Sequence, residues 1–463
     1  MVPDSFGVLI TAATISLMLR RSFLMGASAS ATSASQFQIA TFQADITPPI
    51  GSPLFTGPAR SIVDPLEVRG IALSDAGQSF VIAAVDWCEI RNNSYDLWRS
   101  TLAEAAGTTR ERVLLSCVHQ HDAPYTDVGA QHMLDEVKAP DKLCDAAFER
   151  NVVQRVAGAV RAAAKRTQTV THIGATEARV EQVASNRRYV LADGKVSFGR
   201  TSATRDPAIR EMPEGLIDPM LKTISFFNGS KPIAVLNCYS THPMSYYGQG
   251  NVSADFVGMA RRRMQAETPG VFQIYFSGAS GDIMAGRYND GSPGNRPVLA
   301  GRLHKAMSDG WRATKPTPLN SIGFRNARLN FLPRRTKGFT VAEMYEVLED
   351  PKAPRRARLD AALGLSWNKR LDRKVSIDVP ALHFKSVSIV LVPAEAFVQY
   401  QLWAQQMRPK SLMMTLGFGE CAPGYIPTNA AVSEGYDGHY SWVDFSHCEE
   451  AFRAALQHAL ASD

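Results

Sequence analysis

The sequence has few cysteines, and no two of them have the CxxC spacing of metal-binding and redox motifs. The six cysteines are scattered over 463 residues, and several lie within apolar runs such as VLLSCV and AVLNCY. A zinc or iron–sulfur site built from cysteines is therefore not expected. Buried free thiols are the expected state, with disulfides as the alternative.

Clusters of basic residues are also missing. Lysine and arginine total 50 against 44 aspartate and glutamate residues, which gives a formal net charge of +6. Because no basic stretch is interleaved with aromatic residues, the sequence does not favour nucleic-acid binding. The small positive excess allows at most peripheral contact with a membrane. With 45% hydrophobic and 20% charged residues, the composition is typical of a globular protein with a sizeable core.

The apolar run nearest the N-terminus, FGVLITAATISLML, has about 14 residues, whereas a membrane-spanning helix needs roughly 20. It leads into LRRSFLM at residues 19–25, which has the twin-arginine pattern of an export signal, and then into small residues typical of a cleavage site. We predict a signal segment over residues 1–35 and an exported protein, periplasmic or secreted. Met18 is an alternative start, and an uncleaved N-terminal anchor is the alternative to a cleaved signal.

Patterns typical of strands and of helices alternate along residues 36–463, which favours a single domain. We predict an α/β (mixed α+β) fold with central β-sheets flanked by helices. A hairpin is expected to turn at residues 75–77, and the charged residues 334–373 are a candidate helical insertion or lid. In open sheets, functional side chains usually cluster where strands end.

Three predicted strands end in side chains that can bind a metal. His119 and His121 follow VLLSCV, and alternate residues of an extended segment share one face. His242 follows AVLNCYST, and Glu395 follows SVSIVLVPA. Imidazole and carboxylate are good zinc ligands, so the three positions together favour a zinc site. Taken singly, each histidine has a structural alternative as a hydrogen-bonded packing residue, and Glu395 as an acid at a helix N-terminus.

Short motifs along the chain occur in the order found in the neutral/alkaline (non-lysosomal) ceramidases. These motifs are ADITPPIG, CVHQHDAP, SNRRY, NCYSTHP, SADF, SGASGDIMAG, VPAEAF, GYIPT and EGYDGHY. The sequence resembles the N-terminal catalytic domain of that family over nearly all of residues 36–463. Because the last motif lies close to Asp463, we expect a short member without the family's C-terminal immunoglobulin-like domain.

The resemblance implies roles for individual residues. The implied zinc ligands are His119, His242, Glu395 and Tyr425. His121 and Arg187 would contact polar groups of the substrate, with Arg188 as the alternative to Arg187.

Two further positions follow from the resemblance with alternatives attached. The family's later catalytic tyrosine corresponds to Tyr436 or, because the spacing is shifted, to Tyr440. Asp282 in the Gly-Asp turn would support the site or hold a second, structural cation such as Ca²⁺ or Mg²⁺. A hydrogen bond from Asp282 to its own turn is the alternative.

The function implied by the resemblance is zinc-dependent hydrolysis of a linear amide by metal-activated water, of the EC 3.5.1 type. The implied partner is a small-molecule or lipid N-acyl substrate, such as N-acylsphingosine. Where the family usually has Thr-His-Thr-His-Ser-Gly-Pro, this chain has CVHQHDAP, so a smaller N-acyl or acetylated substrate is an alternative. Three other hypotheses are an amidohydrolase-type barrel, a zinc carbohydrate deacetylase or esterase on the same scaffold, and a non-catalytic lipid- or glycan-binding relative. The sequence gives no oligomeric state.

Overall fold

The computed structural model describes residues 37–75 and 77–461, so the predicted signal segment at residues 1–35 lies outside the described residues. Within these ranges, helices and strands are mixed along the chain, which confirms the predicted fold class. The helices are α1 (Asn92–Ala106), α2 (Val128–Glu136), α3 (Ala146–Ala164), α4 (Pro207–Glu211), α5 (Asp255–Glu267), α6 (Asn295–Ala313), α7 (Val341–Glu349), α8 (Arg355–Asp372), α9 (Val398–Met407), α10 (Asn429–Ser433) and α11 (Cys448–Ala459).

The strands vary from two to nine residues, and the longest ones build the sheets. They are β1 (Gln38–Asp45), β2 (Pro53–Leu54), β3 (Gly57–Pro58), β4 (Ser61–Ile62), β5 (Glu67–Asp75), β6 (Gln78–Val85), β7 (Glu89–Ile90), β8 (Val113–Cys117), β9 (Tyr125–Thr126), β10 (Gln168–Thr169), β11 (His172–Arg179), β12 (Ser185–Asn186), β13 (Tyr189–Val190), β14 (Val196–Ser197), β15 (Met220–Asn228), β16 (Lys231–Tyr239), β17 (Asn251–Val252), β18 (Phe272–Ser277), β19 (Ile283–Met284), β20 (Thr317–Pro318), β21 (Gly323–Leu329), β22 (Ile377–Phe384), β23 (Val387–Leu391), β24 (Glu395–Ala396), β25 (Leu412–Leu416) and β26 (Tyr425–Ile426).

Three larger sheets organise the described residues. Their strand orders are β10-β1-β5-β6-β8, β18-β16-β15-β11-β20 and β21-β22-β23-β25. The hairpin predicted at residues 75–77 is confirmed, because β5 and β6 are antiparallel and Asp75 pairs with Gln78.

Each of these sheets has a parallel pair of strands at one edge: β6 with β8, β16 with β18, and β23 with β25. The carboxyl ends of two parallel strands lie at the same end of the sheet. Hydrogen bonds join the three pairs there, because the Cys117 amide donates to the Phe418 carbonyl at 2.9 Å and the Gly417 amide donates to the Ser277 carbonyl at 2.8 Å. The carboxyl ends of the three parallel strand pairs therefore lie next to one another, and the loops that follow these strands begin there.

The first sheet is buried on both faces. Successive side chains of a strand point to opposite faces, so the apolar residues of one strand pack into two different cores. Along β6, Phe80 and Ile82 pack into a core shared with the second and third sheets, whereas Val81 and Ala83 pack on the other face. Helices α1 and α3 contribute to the core on that other face. Asp145 begins α3 by accepting hydrogen bonds from the amides of Ala147 and Phe148, as N-cap residues do.

Residues 334–373 contain two helices that pack on each other, α7 and α8. Helix α8 buries Leu359, Leu363 and Trp367 in the core on the outer side of the third sheet. This segment is thus part of the packed body, and its origin as an insertion stays a prediction.

All six cysteines are buried and free, which confirms the expected thiol state. No helix within residues 37–75 and 77–461 combines the length and apolar character of a membrane span.

Candidate metal centre

The three parallel strand pairs deliver polar and aromatic side chains to one place. After β8 the chain reaches His119, after β16 it reaches His242, and after β23 it reaches Glu395. One acceptor or donor atom from each of these three side chains lies within 4.8 Å of the others. All three side chains are buried. The strand ends selected from the sequence are therefore brought together by the fold.

Backbone carbonyls fix the orientation of both imidazoles. His119 Nδ1 lies 2.9 Å from the Cys88 carbonyl oxygen, and His242 Nδ1 lies 3.0 Å from that of Ile283. Because a carbonyl only accepts hydrogen bonds, each Nδ1 carries a hydrogen, so Nε2 is the atom of each ring that can bind a metal when the ring is neutral. Hydrogen bonds of this kind orient metal-binding histidines in proteins.

The two Nε2 atoms converge on the Glu395 carboxylate. Glu395 Oε2 lies 3.0 Å from His242 Nε2 and 3.5 Å from His119 Nε2. Three acceptor atoms at such distances repel one another unless a proton or a metal ion lies among them. Burial lowers the pKa of His119, but the contact with Glu395 outweighs burial and raises it, so this site attracts positive charge. Two imidazole nitrogens and one carboxylate oxygen fit zinc better than calcium or magnesium, which prefer oxygen ligands.

Burial and mutual contact shift the pKa values of these groups in opposite directions. Burial lowers the pKa of His242 to about 4. For Glu395, burial raises the pKa, but the contacts with His119 and His242 outweigh burial and hold it well below its usual value. A carboxylate that stays ionised and an imidazole that stays neutral are the forms that bind a metal.

Tyr425, the fourth implied ligand, lies beside Glu395. The two residues are partners in the parallel ribbon of β24 and β26. Burial raises the pKa of the Tyr425 hydroxyl well above its usual value, and the neighbouring Glu395 adds to that rise. Arg187 Nη2 donates a hydrogen bond to this hydroxyl at 2.9 Å.

His121 lies on the same side of the strand end as His119. Its Nε2 is 3.3 Å from His119 Nε2, and its ring packs against Phe55 and Tyr247 with centroids 4.7 and 5.2 Å away. The His121 Nδ1 atom is buried and has no hydrogen-bond partner among the described residues. Burial also holds the pKa of His121 well below its usual value. His121 is thus a neutral imidazole that lines the cavity beside His119 and has one buried nitrogen without a partner in the described part of the chain.

The structure separates the two neighbouring arginines. Arg187 lines the same cavity as His119, whereas Arg188 forms an ion pair with Glu434 outside it. Asp282 accepts hydrogen bonds from Asn186 Nδ2 at 2.8 Å and from the Val398 amide at 2.7 Å. The carboxylate therefore supports the site by joining the Arg187 loop to the start of α9. Within the described ranges, two groups of side chains could hold a metal ion, His119 with His242 and Glu395 and, alternatively, Cys88 with His119 and His121, and Asp282 belongs to neither.

The two candidate tyrosines have different surroundings. The Tyr440 hydroxyl accepts a hydrogen bond from Arg91 Nη1 at 2.8 Å and also contacts Tyr125. Tyr436 packs edge-on against Phe198 and Phe397, and its hydroxyl has no hydrogen-bond partner among the described residues. Both tyrosines line the cavity. Tyr436 is the one whose hydroxyl is free for a bound molecule.

Two residues that contact the His119 ring were missed by the sequence analysis. Glu89 lies after β6, and its Oε1 is 3.9 Å from His119 Nδ1, while Arg91 Nη1 is 3.1 Å from its Oε2. Burial raises the pKa of Glu89 to about 7, although Arg91 opposes the rise. The run AAVDWCEIR also places acids after a buried strand, so the strand-end argument could have found Glu89. Phe418, which stacks on the His119 ring with centroids 4.1 Å apart, carries no such local signal.

The backbone around the site adopts unusual conformations. His119, Ala394 and Phe418 have φ angles of 74°, 52° and 52°, in the left-handed region that non-glycine residues rarely occupy. Gly281 approaches the Glu395 backbone so closely that a Cβ atom on it would lie 2.1 Å from the Glu395 carbonyl oxygen. Such local strain often marks functional sites, because the surrounding structure must hold it in place.

These side chains open into a cavity of about 560 Å³. Its lining is Phe55, Glu89, His119, His121, Arg187, Val196, Phe198, Met244, Tyr247, Arg356, Glu395, Tyr425, Gly435, Tyr436, Asp437, Gly438, His439 and Tyr440. Every residue for which the sequence predicted a catalytic role borders this cavity, and so do the ligand candidates His119, Glu395 and Tyr425. Its volume lies within the range of small-molecule sites.

Comparison with known proteins identifies the fold. No protein-family model matches the sequence, and no curated protein matches it. Among solved structures, the neutral ceramidase from Pseudomonas aeruginosa superposes with a TM-score of 0.67 at 15% identity, covering 92% of this chain and 74% of that one. A structure described as ceramidase complexed with C2 gives a TM-score of 0.67 at 14% identity, covering 92% and 75%. The predicted ceramidase-like fold is confirmed.

Proposed function

We propose that this chain is a zinc-dependent hydrolase of N-acyl amide bonds. The observation that carries the proposal is the pair of imidazoles whose Nδ1 atoms are held by carbonyls while their Nε2 atoms face one buried carboxylate. This arrangement calls for a cation, and two histidines with one glutamate are a known ligand set of hydrolytic zinc enzymes. The fold shared with structures described as ceramidases supports amide hydrolysis as the reaction.

His119, His242 and Glu395 would hold the zinc ion, with Tyr425 as the fourth ligand. When bound, zinc would supply a Lewis acid for the amide carbonyl and would activate water. His121, a neutral imidazole that lines the cavity, can exchange a proton with the departing nitrogen, and the Tyr436 hydroxyl can donate a hydrogen bond to the carbonyl oxygen. Phe418 shields one face of the His119 ring, which keeps water from that side.

Metal analysis combined with an activity screen tests the proposal. The purified protein is assayed on fluorogenic ceramide, on short N-acyl amides and on acetylated sugars, before and after dialysis against a chelator. We expect about one zinc ion per chain, amide hydrolysis that chelation abolishes, and recovery on adding zinc.

A matched pair of histidine variants provides the control. His119→Ala should lose both zinc and activity, whereas His132→Ala, at an exposed position on α2, should keep both. Full amide hydrolysis by zinc-free protein would contradict the proposal. Activity on acetylated sugars alone would favour a carbohydrate deacetylase on the same scaffold.

We also propose that the protein is exported through the twin-arginine pathway. The support is the LRRSFLM pattern at residues 19–25 and the small residues that follow. Replacing Arg20 and Arg21 together by lysine should retain the protein in the cytoplasm, which fractionation of expressing cells would measure. Unchanged export of the double variant would exclude this route.

A further inference from the structure

A second arginine reaches the candidate site from the helical segment 334–373. Arg356 lies in the first turn of α8 and lines the same cavity as His119 and Glu395. Its side chain is 45% exposed, so it faces the open part of that cavity. No motif in the sequence assigns Arg356 a role.

Three contacts hold the Arg356 guanidinium in one place. It lies over the rings of Phe55 and Tyr440, 4.8 and 4.9 Å from their centroids. Its Nε donates a hydrogen bond to Asp360 Oδ2 at 2.9 Å. Its two Nη groups form no hydrogen bond with the described residues. A planar fork of N–H donors is therefore oriented by aromatic rings and left open on one edge, which suits a carboxylate or phosphate oxygen pair.

The acidic groups around the cavity already have partners. Glu89 pairs with Arg91, Asp437 pairs with Arg334, and Glu395 contacts the two histidines. The open Nη edge of Arg356 thus faces a cavity with no unpaired carboxylate among the described lining residues. A negatively charged group of a bound molecule would find a cation there without competing with an existing acid.

Arg356 and Arg355 both lie in the first turn of α8, where a cation opposes the helix dipole. The ion pair of Arg356 with Asp360, one helical turn further on, offsets that opposition. This pair uses only Nε of Arg356, so helix stability does not require the two Nη groups, which stay open to a bound molecule.

We propose that Arg356 binds an anionic group, a carboxylate or a phosphate, on the N-acyl substrate. This inference rests on the proposed amide hydrolysis and specifies its substrate class: acidic N-acyl compounds rather than neutral lipid amides. The Phe55 ring links Arg356 to His121, because it packs against both. The anionic group therefore binds one aromatic ring away from the side chain that faces the scissile bond.

Matched substrates with one acyl chain test the proposal. We compare kcat/KM for N-hexanoylglycine, N-hexanoyl-O-phosphoethanolamine and neutral N-hexanoylethanolamine on the zinc-loaded enzyme. Wild type should prefer at least one acidic substrate over the neutral one by roughly tenfold or more, the usual effect of a charge-assisted hydrogen bond. The two acidic arms show whether carboxylate or phosphate is the better ligand.

Variants of Arg356 decide whether this residue causes the preference. Arg356→Met should bring the acidic-to-neutral ratio close to one, and Arg356→Glu should favour cationic N-hexanoylethylenediamine. Arg355→Met is the control and should keep the wild-type ratio, because Arg355 instead donates to the Lys142 carbonyl. If Arg356→Met keeps the preference, or wild type has none, the residue serves only its ion pair with Asp360 and the proposal is wrong.

A binding measurement tests the anion site independently of the proposed amide hydrolysis. Calorimetry on zinc-free protein measures the affinities for the two acidic compounds and for N-hexanoylethanolamine without catalysis. We expect at least one acidic compound to bind wild type roughly tenfold tighter than the neutral compound does, and Arg356→Met to bind all three with similar affinity. If no amide is hydrolysed but this difference is found, the proposed reaction fails and the anion site stands. Equal affinities of wild type for all three compounds would overturn the anion site.

Discussion

Two buried glutamates of this protein respond to burial in opposite ways. Glu395 lies at the meeting point of the three sheets and Glu149 lies in α3, and both are almost completely buried. Burial raises the pKa of Glu149 to about 7, even though Ser94 and Trp98 donate hydrogen bonds to it. For Glu395 burial acts in the same direction, but the contacts with His119 and His242 reverse it and hold the pKa well below the usual value.

The difference lies in the partners rather than in the depth of burial. Neutral hydroxyl and indole donors offset only part of the cost of burying a carboxylate. Burial therefore still favours the protonated form of Glu149. Imidazoles can carry a positive charge themselves or share a metal ion with the carboxylate. A buried acid in this protein therefore indicates a metal site only where its neighbours can bind a cation too.

The largest effect is expected when the carboxylate at the candidate metal centre is neutralised. Glu395→Gln should reduce the rate of amide hydrolysis by roughly 10³-fold. A bound metal stabilises the transition state by several kcal/mol, and losing that stabilisation slows the reaction by about this factor. The zinc content, measured on the purified variant, should fall in parallel.

Glu149→Gln is the matched control for that variant, since it makes the same chemical change at the other buried glutamate. It should keep the wild-type zinc content and activity. Equal losses from the two substitutions would remove the distinction between the two glutamates.

A smaller effect is expected from moving Glu395 without changing its chemistry. In Gly281→Ala the new methyl group would lie about 2.1 Å from the Glu395 carbonyl oxygen, so the Glu395 backbone must shift. Zinc affinity should fall roughly 10- to 100-fold, as for other changes that displace a ligand from its support. Competition with a chromogenic chelator would measure it.

Gly158→Ala tests whether any added methyl group has this effect. Gly158 lies in α3 with open space around it. The substitution should leave zinc affinity unchanged and raise the free energy of unfolding by about 0.5–1 kcal/mol, because alanine favours the helix. Normal zinc affinity in Gly281→Ala would show that the close approach does not position Glu395.

A separate effect, on stability rather than on zinc or activity, concerns the pH dependence at Glu149. Its folded pKa of about 7 lies above that of an unfolded glutamate, about 4.3, so the folded state holds the proton over the interval between them. The free energy of unfolding should therefore fall as the pH rises from about 4.5 to about 7, by at most about 3 kcal/mol from this group.

Urea unfolding of wild type and Glu149→Gln at several pH values isolates that contribution. The amide does not titrate, so the difference in stability between the two proteins should move in favour of Glu149→Gln as the pH rises to 7. A difference that stays constant with pH would mean that Glu149 is ionised in the folded protein throughout.

The sequence was sufficient for the local features of the site. It predicted the strands that end before His119, His242 and Glu395, because apolar runs and the polar residues after them are visible within about ten residues. The resemblance in motif order supplied Arg187 and Tyr436, which border the cavity. Glu89 could have been found by the same strand-end argument. Phe418 could not, since nothing in its neighbourhood of the chain indicates which ring it stacks on.

What the sequence determined by itself is therefore the chemistry: which donors exist, on which strands, and in which order. Only the tertiary structure decided that they meet, since His242 and Glu395 are 153 residues apart and follow strands of different sheets. Their distance depends on how three separately hydrogen-bonded sheets pack edge to edge, which no local pattern encodes. The same packing places Arg356, a residue of a charged helix, beside the cavity of the candidate metal centre.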